Sequence, residues 1–131
     1  MIYSIVVYGA PHSSQAPYSA YHFIKSALAM GHSVYRVFFY HDGALNGSSL
    51  AVSPQDDNLL PDAWRKLKEL HNMDLVICIG AGIKRGVINQ QESQRYERQQ
   101  HSLDDIFELS GLGQLVDATL KSDRVITFGA R

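Results

Sequence analysis

The sequence predicts an α/β fold: an open, mostly parallel five-stranded sheet in a three-layer arrangement, with helices on both faces. Two observations carry this. Short apolar runs rich in β-branched and aromatic residues alternate with amphipathic helical stretches, the pattern of βαβ units. One run, "DLVICIG" from Asp74 to Gly80, is almost wholly apolar, as a parallel strand buried on both faces must be. The length of 131 residues reads as one domain over 1–131. A chain of this size can bury roughly two thirds of its unfolded surface.

The first strand is Ile2 to Tyr8, broken by Gly9, Ala10, Pro11 and His12. Ser13 or Ser14 caps the next helix, because a short hydroxyl satisfies a free first-turn amide. That helix runs to Met30, with Tyr21, Ile24, Ala27 and Leu28 on one face, and Gly31 ends it at the C′ position. The second strand is Ser33 to Tyr40. His41 to Asn58 reads as a turn-rich loop, long for a compact domain, and such loops are usually functional or mobile. Pro61 opens a helix to His71, with Trp64 and Leu67 facing the core and Leu60 and Leu70 nearby. The third strand follows and ends in a Gly80-Ala81-Gly82 turn.

Val87 to Ser102 is polar nearly all round and reads as a surface helix that orders against a partner. Together with the long loop it is a candidate docking element. Asp105 to Gly113 reads as a short strand and tight turn, Leu112 to Lys121 as the last helix and Asp123 to Phe128 as the last strand. A strand order of 2-1-3-4-5 would put the topological switch point between the first and third strands. Cys78 would then sit at the ligand-binding edge, beside the "YGAPHSS" loop that follows the first strand.

Composition narrows the function classes. The formal net charge is -1 and the pI about 6.6, without the basic excess of a dedicated nucleic-acid binder, so contact with protein partners is expected rather than with nucleic acid. No apolar run approaches the roughly 18 residues of a membrane span. The N-terminal stretch lacks the charged region of a signal peptide. A single cysteine excludes an internal disulfide, in keeping with a reducing, cytoplasmic compartment.

That cysteine, Cys78, is the main candidate for chemistry, although most lone cysteines are inert packed residues. Three features favour reactivity. The strand is ending, so the side chain can reach the ligand edge. The amides of Gly80, Ala81 and Gly82 can approach an anion. Lys84 and Arg85 bring positive charge, which favours thiolate over thiol, though both also read as ordinary solvated side chains. His12 could carry a proton, but a loop histidine is more often simply exposed. No GxGxxG, GxSxG or HExxH pattern occurs, and one cysteine builds no thiolate metal site, so neither a metal nor an organic cofactor is expected.

Several short motifs, taken in order and spacing, resemble the DsrE/TusD family of small intracellular sulfurtransferases, most closely its TusD branch. They are "IVVYG" at the start, "VFFYHDGALN" from Val37 to Asn46, "ICIGAGIKRGV" from Ile77 to Val87, "LSGLG" from Leu109 to Gly113 and "DRVITF" at the end. "GALNG" replaces the family's commoner Gly-Val-x-Asn-Ala pattern. The resemblance implies an α/β sheet of the kind read above, and a catalytic Cys78 that carries sulfur as a persulfide. It implies related TusB-like and TusC-like subunits in a heterohexamer, an upstream persulfide donor and a downstream carrier protein. The relay would supply the 2-thio group of the tRNA wobble uridine; DsrE-like relatives use similar chemistry in sulfur oxidation. The family supplies no catalytic histidine at His12, so none is assigned. Two rivals stand beside this reading: a non-catalytic structural subunit with Cys78 buried, and a flavin- or nucleotide-binding module.

Overall fold

In a computed structural model that describes residues 1–52 and 59–129, all five expected strands form. They are β1 (Ile2–Val7), β2 (Ser33–Phe39), β3 (Leu75–Cys78), β4 (Glu108–Ser110) and β5 (Arg124–Phe128). Every pairing is parallel and the order is β4-β3-β2-β1-β5. The expected order 2-1-3-4-5 is therefore wrong. Both edges of β1 are taken, by β2 and β5, and β3 pairs instead through Leu75–Ile77 with Val37–Phe39 of β2. The switch point lies between β1 and β5, where the winding reverses.

Helices cover both faces. On one side α1 (Ala16–Ala29) and α2 (Leu59–His71) meet an apolar surface. Phe39 packs edge-on against Trp64, which also meets Tyr21, and Tyr3 packs against Phe23. Ile5, Val7, Val37, Phe39, Leu75 and Ile77 are almost completely buried on this face. The N-cap is Gln15 and not Ser13 or Ser14, although the Ser14 hydroxyl just before it accepts from the Ala16 amide at 3.1 Å, and Gly31 takes a left-handed φ of +86° just past the helix end. Leu70 is 76% exposed and does not join the core.

On the other side α5 (Gly113–Lys121) is fastened by a polar cluster. The β1–β2 register slips between Tyr3 and Ser4, leaving Tyr35 as the extra residue of a bulge. The bulge lets Tyr35 and Arg36 reach the same partner. The Tyr35 hydroxyl donates to Asp117 Oδ2 at 2.6 Å and Arg36 Nη1 donates to the same oxygen at 3.0 Å. Buried Arg36 also donates to Asp74 Oδ2 at 2.7 Å and to the Gln114 carbonyl at 2.8 Å.

Three expectations about connections need correction. The first half of the long loop is a 3₁₀ helix, His41–Gly47, with Gly43, Ala44, Asn46 and Gly47 buried. Of the remainder, residues 53–58 lie outside the described residues. The Gly80-Ala81-Gly82 stretch is not a turn: β3 passes directly into α3 (Ile79–Lys84). The polar segment is not one surface helix waiting for a partner. Only α4 (Gln90–Arg95) is helical, and the chain closes on itself through its own hydroxyls. Ser93 donates to the Arg98 and Gln100 carbonyls, and Ser102 to the Gly86 carbonyl. Val87, Ile88, Glu92 and Ser93 are buried.

The Tyr35 and Arg36 hydrogen bonds hold the Asp117 carboxyl below its ordinary pKa of 3.8. The stability this contact adds is complete above that ordinary value and is lost as the pH falls through the depressed one. Asp117→Asn should lower the melting temperature at neutral pH and flatten its decline in acid. Thermal unfolding followed from neutral pH to below about pH 4 tests this.

Candidate functional site

Cys78 is the last residue of β3 and the N-cap of α3, with extended φ and ψ of -60° and 122°. No loop separates sheet from helix. The apolar run of β3 buries Leu75 to Ile77, and Gly82 then lets the helix lie close against the Val87 carbonyl. Cys78 pairs with Ser110 of β4, forms no disulfide and is 6% exposed. It lies in the wall of a cavity of about 420 Å³ at the carboxyl end of the sheet. Tyr40, His41, Ile79, Gly80, Ala81, Lys84, Arg85, Gly111 and Leu112 complete the wall.

The predicted thiolate-stabilising residues separate into two groups. Gly80, Ala81, Lys84 and Arg85 share the cavity with Cys78. Gly82 does not. It faces the opposite side of α3, where its carbonyl accepts from the Arg85 and Val87 amides at 3.1 and 2.9 Å. A Cβ added at Gly82 would lie 2.6 Å from the Val87 carbonyl oxygen, whereas one at Gly80 meets nothing within 4 Å. The helix pattern explains the difference. Amides of the first turn, Ile79 to Ala81, have no acceptor within α3, while that of Gly82 is the first to be used inside it.

The two cations also differ. Half-buried Arg85 donates through Nε to Asp42 Oδ1 at 3.0 Å and through Nη1 to the Ala81 carbonyl at 3.1 Å. Its charge is directed at Asp42. Lys84 is exposed at the cavity and has no ion-pair partner among the described residues.

The 3₁₀ helix brings in a residue that sequence reasoning passed over. His41 stands in the cavity wall with its backbone in the left-handed region, φ +55°. Its Nδ1 lies 3.8 Å from Asp42 Oδ2. The helix cannot drift away from the sheet edge. Gly43 packs so closely on β1 that a Cβ there would overlap the Val7 carbonyl oxygen. Buried Asn46 donates to the Gly9 and Gly43 carbonyls at 3.0 and 2.9 Å and accepts from Trp64 Nε1 at 3.4 Å. The available signal was the position of "HDG" immediately after a parallel strand, at the edge where such folds bind ligands.

His12, by contrast, lies in a small crevice with Leu45, Asn46 and Trp64, and not in the wall with Cys78. The loop after β1 borders a second cavity of about 520 Å³ at the β1/β5 switch point, lined by Tyr8, Ala10, Ser13, Ser14, His41, Asp42 and Gly129. His41 therefore belongs to both cavities. The segment 96–102 walls a third, larger cavity of about 640 Å³, into which α3 turns Ile83. No group of three or more metal-ligating side chains occurs among the described residues.

Comparison with known proteins agrees with this architecture. The family model described as DsrE/DsrF-like matches residues 1–128. The chain is 45% identical over 129 residues to a sulfurtransferase TusD homolog of Pseudomonas aeruginosa, covering 98% of each. It is 40% identical over 129 residues to a putative sulfurtransferase DsrE of Allochromatium vinosum, covering 98% of this chain and 99% of that one. Among solved structures, the YchN protein from E. coli superposes with a TM-score of 0.72 at 21% identity, covering 98% of this chain and all of that one.

The two glycines of α3 should respond differently to the same change. Gly82→Ala forces the Val87 carbonyl aside and should cost about 1–3 kcal/mol, as overpacking does. Gly80→Ala has open space and should leave stability at or slightly above that of the parent. Urea unfolding of the pair provides the check.

Proposed function

The chain belongs to the DsrE/DsrF-like family, and on that premise we propose that Cys78 accepts sulfane sulfur as a persulfide and passes it to an acceptor cysteine. The observation that carries this is the placement of the chain's single cysteine at the strand–helix junction, in a cavity with Gly80 and Ala81 of the first turn of α3 and with Lys84. The sulfurtransferase names of the relatives support the same reading.

The chemistry is thiol–disulfide exchange with one sulfur atom as cargo. The Cys78 thiolate attacks the outer sulfur of a donor persulfide, the donor's S–S bond breaks and the donor sulfur leaves as thiolate. A cysteine of the acceptor then attacks the outer sulfur on Cys78 and regenerates the Cys78 thiolate. No electron is gained or lost overall, so neither a metal nor an organic cofactor is required. Amides of Gly80 and Ala81, with Lys84, favour the anionic sulfur on both occasions. Arg85 serves them indirectly, by holding Asp42.

The destination proposed for the sulfur is the 2-thio group of the tRNA wobble uridine, through TusB-like and TusC-like subunits and a downstream carrier. A sulfur-oxidation relay is the second reading, favoured by the 40% identity to the putative sulfurtransferase DsrE. Direct contact with tRNA is not part of the proposal, given a formal net charge of -1. None of the described helices is long and apolar enough to cross a membrane.

Intact-protein mass spectrometry after incubation with a cysteine desulfurase and cysteine should show a gain of one sulfur atom, reversed by a reductant. Cys78→Ser should abolish the gain and leave the unfolding curve unchanged. A serine variant that still carried sulfur would refute the assignment. A parent protein that took up none, with a thiol resistant to alkylation, would favour the structural-subunit reading.

A further inference from the structure

We infer that His41 is the proton carrier for Cys78, taking the thiol proton before attack and returning it to the departing thiolate. The inference deepens the persulfide reading and rests on it. Three observations bear on it. His41 and Cys78 line one cavity, from β3 and from the 3₁₀ helix after β2. The placement is enforced: a non-glycine residue holds φ +55° there, a conformation that persists only where its surroundings over-determine it. Those surroundings are Gly43 packed on the Val7 carbonyl and the hydrogen bonds of Asn46. Finally, His41 opens a chain of charge, His41–Asp42–Arg85, in which Arg85 at 3.0 Å holds the carboxylate that faces the imidazole at 3.8 Å.

Protons and electrons balance. Cys78 loses its proton to the His41 imidazole and becomes thiolate. The thiolate attacks the outer sulfur of a donor persulfide anion, R–S–S⁻, and the donor S–S bond breaks. The R–S⁻ that leaves takes the proton from the imidazolium. The products are the Cys78 persulfide anion and R–SH, so one negative charge stands on each side and the sulfane sulfur keeps its oxidation state. An imidazole can both accept and donate a proton, as the two transfers require. Among the described residues, the charged and titratable groups that line the two cavities with His41 are Tyr8, Tyr40, Asp42, Lys84, Arg85 and Cys78.

The test uses His41→Asn, because asparagine tolerates the left-handed backbone and removes only the imidazole. The probe is iodoacetamide, with the alkylation rate of Cys78 followed from about pH 5.5 to 10 in the parent and the variant. Loss of the imidazole predicts a rate in the variant that is lower by about tenfold near neutral pH. The two profiles should converge above about pH 9.5, where every accessible cysteine is thiolate. Superposed profiles would overturn the inference. So would a variant slowed by the same factor at every pH, since that marks a change of access and not of protonation. Sulfur loading measured on the same samples separates the two claims. A parent that loads sulfur with superposed profiles loses only the role of His41, whereas a parent that loads none loses the persulfide reading itself.

Discussion

The geometry of the carboxyl edge depends on how the chain leaves β2. Gly43 lies against the Val7 carbonyl with no room for a side chain, and Tyr40 donates its amide to that same carbonyl at 2.9 Å. Asn46 then ties the 3₁₀ helix to the loop after β1 and, through Trp64, to α2. A buried amide side chain with both its donor and its acceptor used is costly to disturb, because a lost partner leaves a desolvated polar group behind. The short helix is thereby pinned over the ends of three strands. His41 and Asp42 take their places from it, and Arg85 takes its place from Asp42.

On the opposite face of the sheet a buried charge does similar positioning work. Arg36 would be expensive to bury alone, and Asp74, Asp117 and the Gln114 carbonyl together offset that cost. The bulge at Tyr35 is what allows two consecutive residues of β2 to converge on one carboxylate. The consequence reaches the site, because the residues that precede α5, Gly111 and Leu112, form one wall of the Cys78 cavity. Fastening the first turn of α5 at Gln114 fixes that wall. One face of β2 therefore builds the aromatic core with α2, while the other anchors the helix that closes the cavity.

Local patterns in the sequence were enough for the five strands, for the two long helices and for Cys78 at the end of β3, because periodicity and β-branched content report on each segment alone. Strand order was not legible. Whether β3 lies beside β1 or β2 is decided by which apolar edges meet, a tertiary matter that no segment records. The helix α3 was misread because glycine signals a turn, yet Gly82 serves close packing on Val87. The segment from Val87 to Ser102 looked partnerless because its polarity was counted and its hydroxyl–carbonyl bonds could not be. His41 was overlooked at the start of the loop after β2 for a related reason. Its importance comes from the 3₁₀ helix, and that helix depends on a contact between residues 7 and 43.

A buried thiol and a transferable sulfur are compatible at this site. Cys78 exposes only 6% of its surface, which on its own would suit an inert core cysteine. A persulfide changes the geometry. An added S–S bond would extend the side chain by about 2 Å, and the cavity that Cys78 shares with Lys84 and His41 has room for it. On the persulfide reading proposed above, the sulfur bonded to carbon would stay shielded and the outer sulfur would be the one open to an acceptor. Attack on the inner sulfur would leave a mixed disulfide and release the cargo as hydrosulfide. On that reading, a junction with no loop, holding the cysteine at the end of a strand, would favour productive transfer by restricting access to the inner sulfur and not by any difference in intrinsic reactivity.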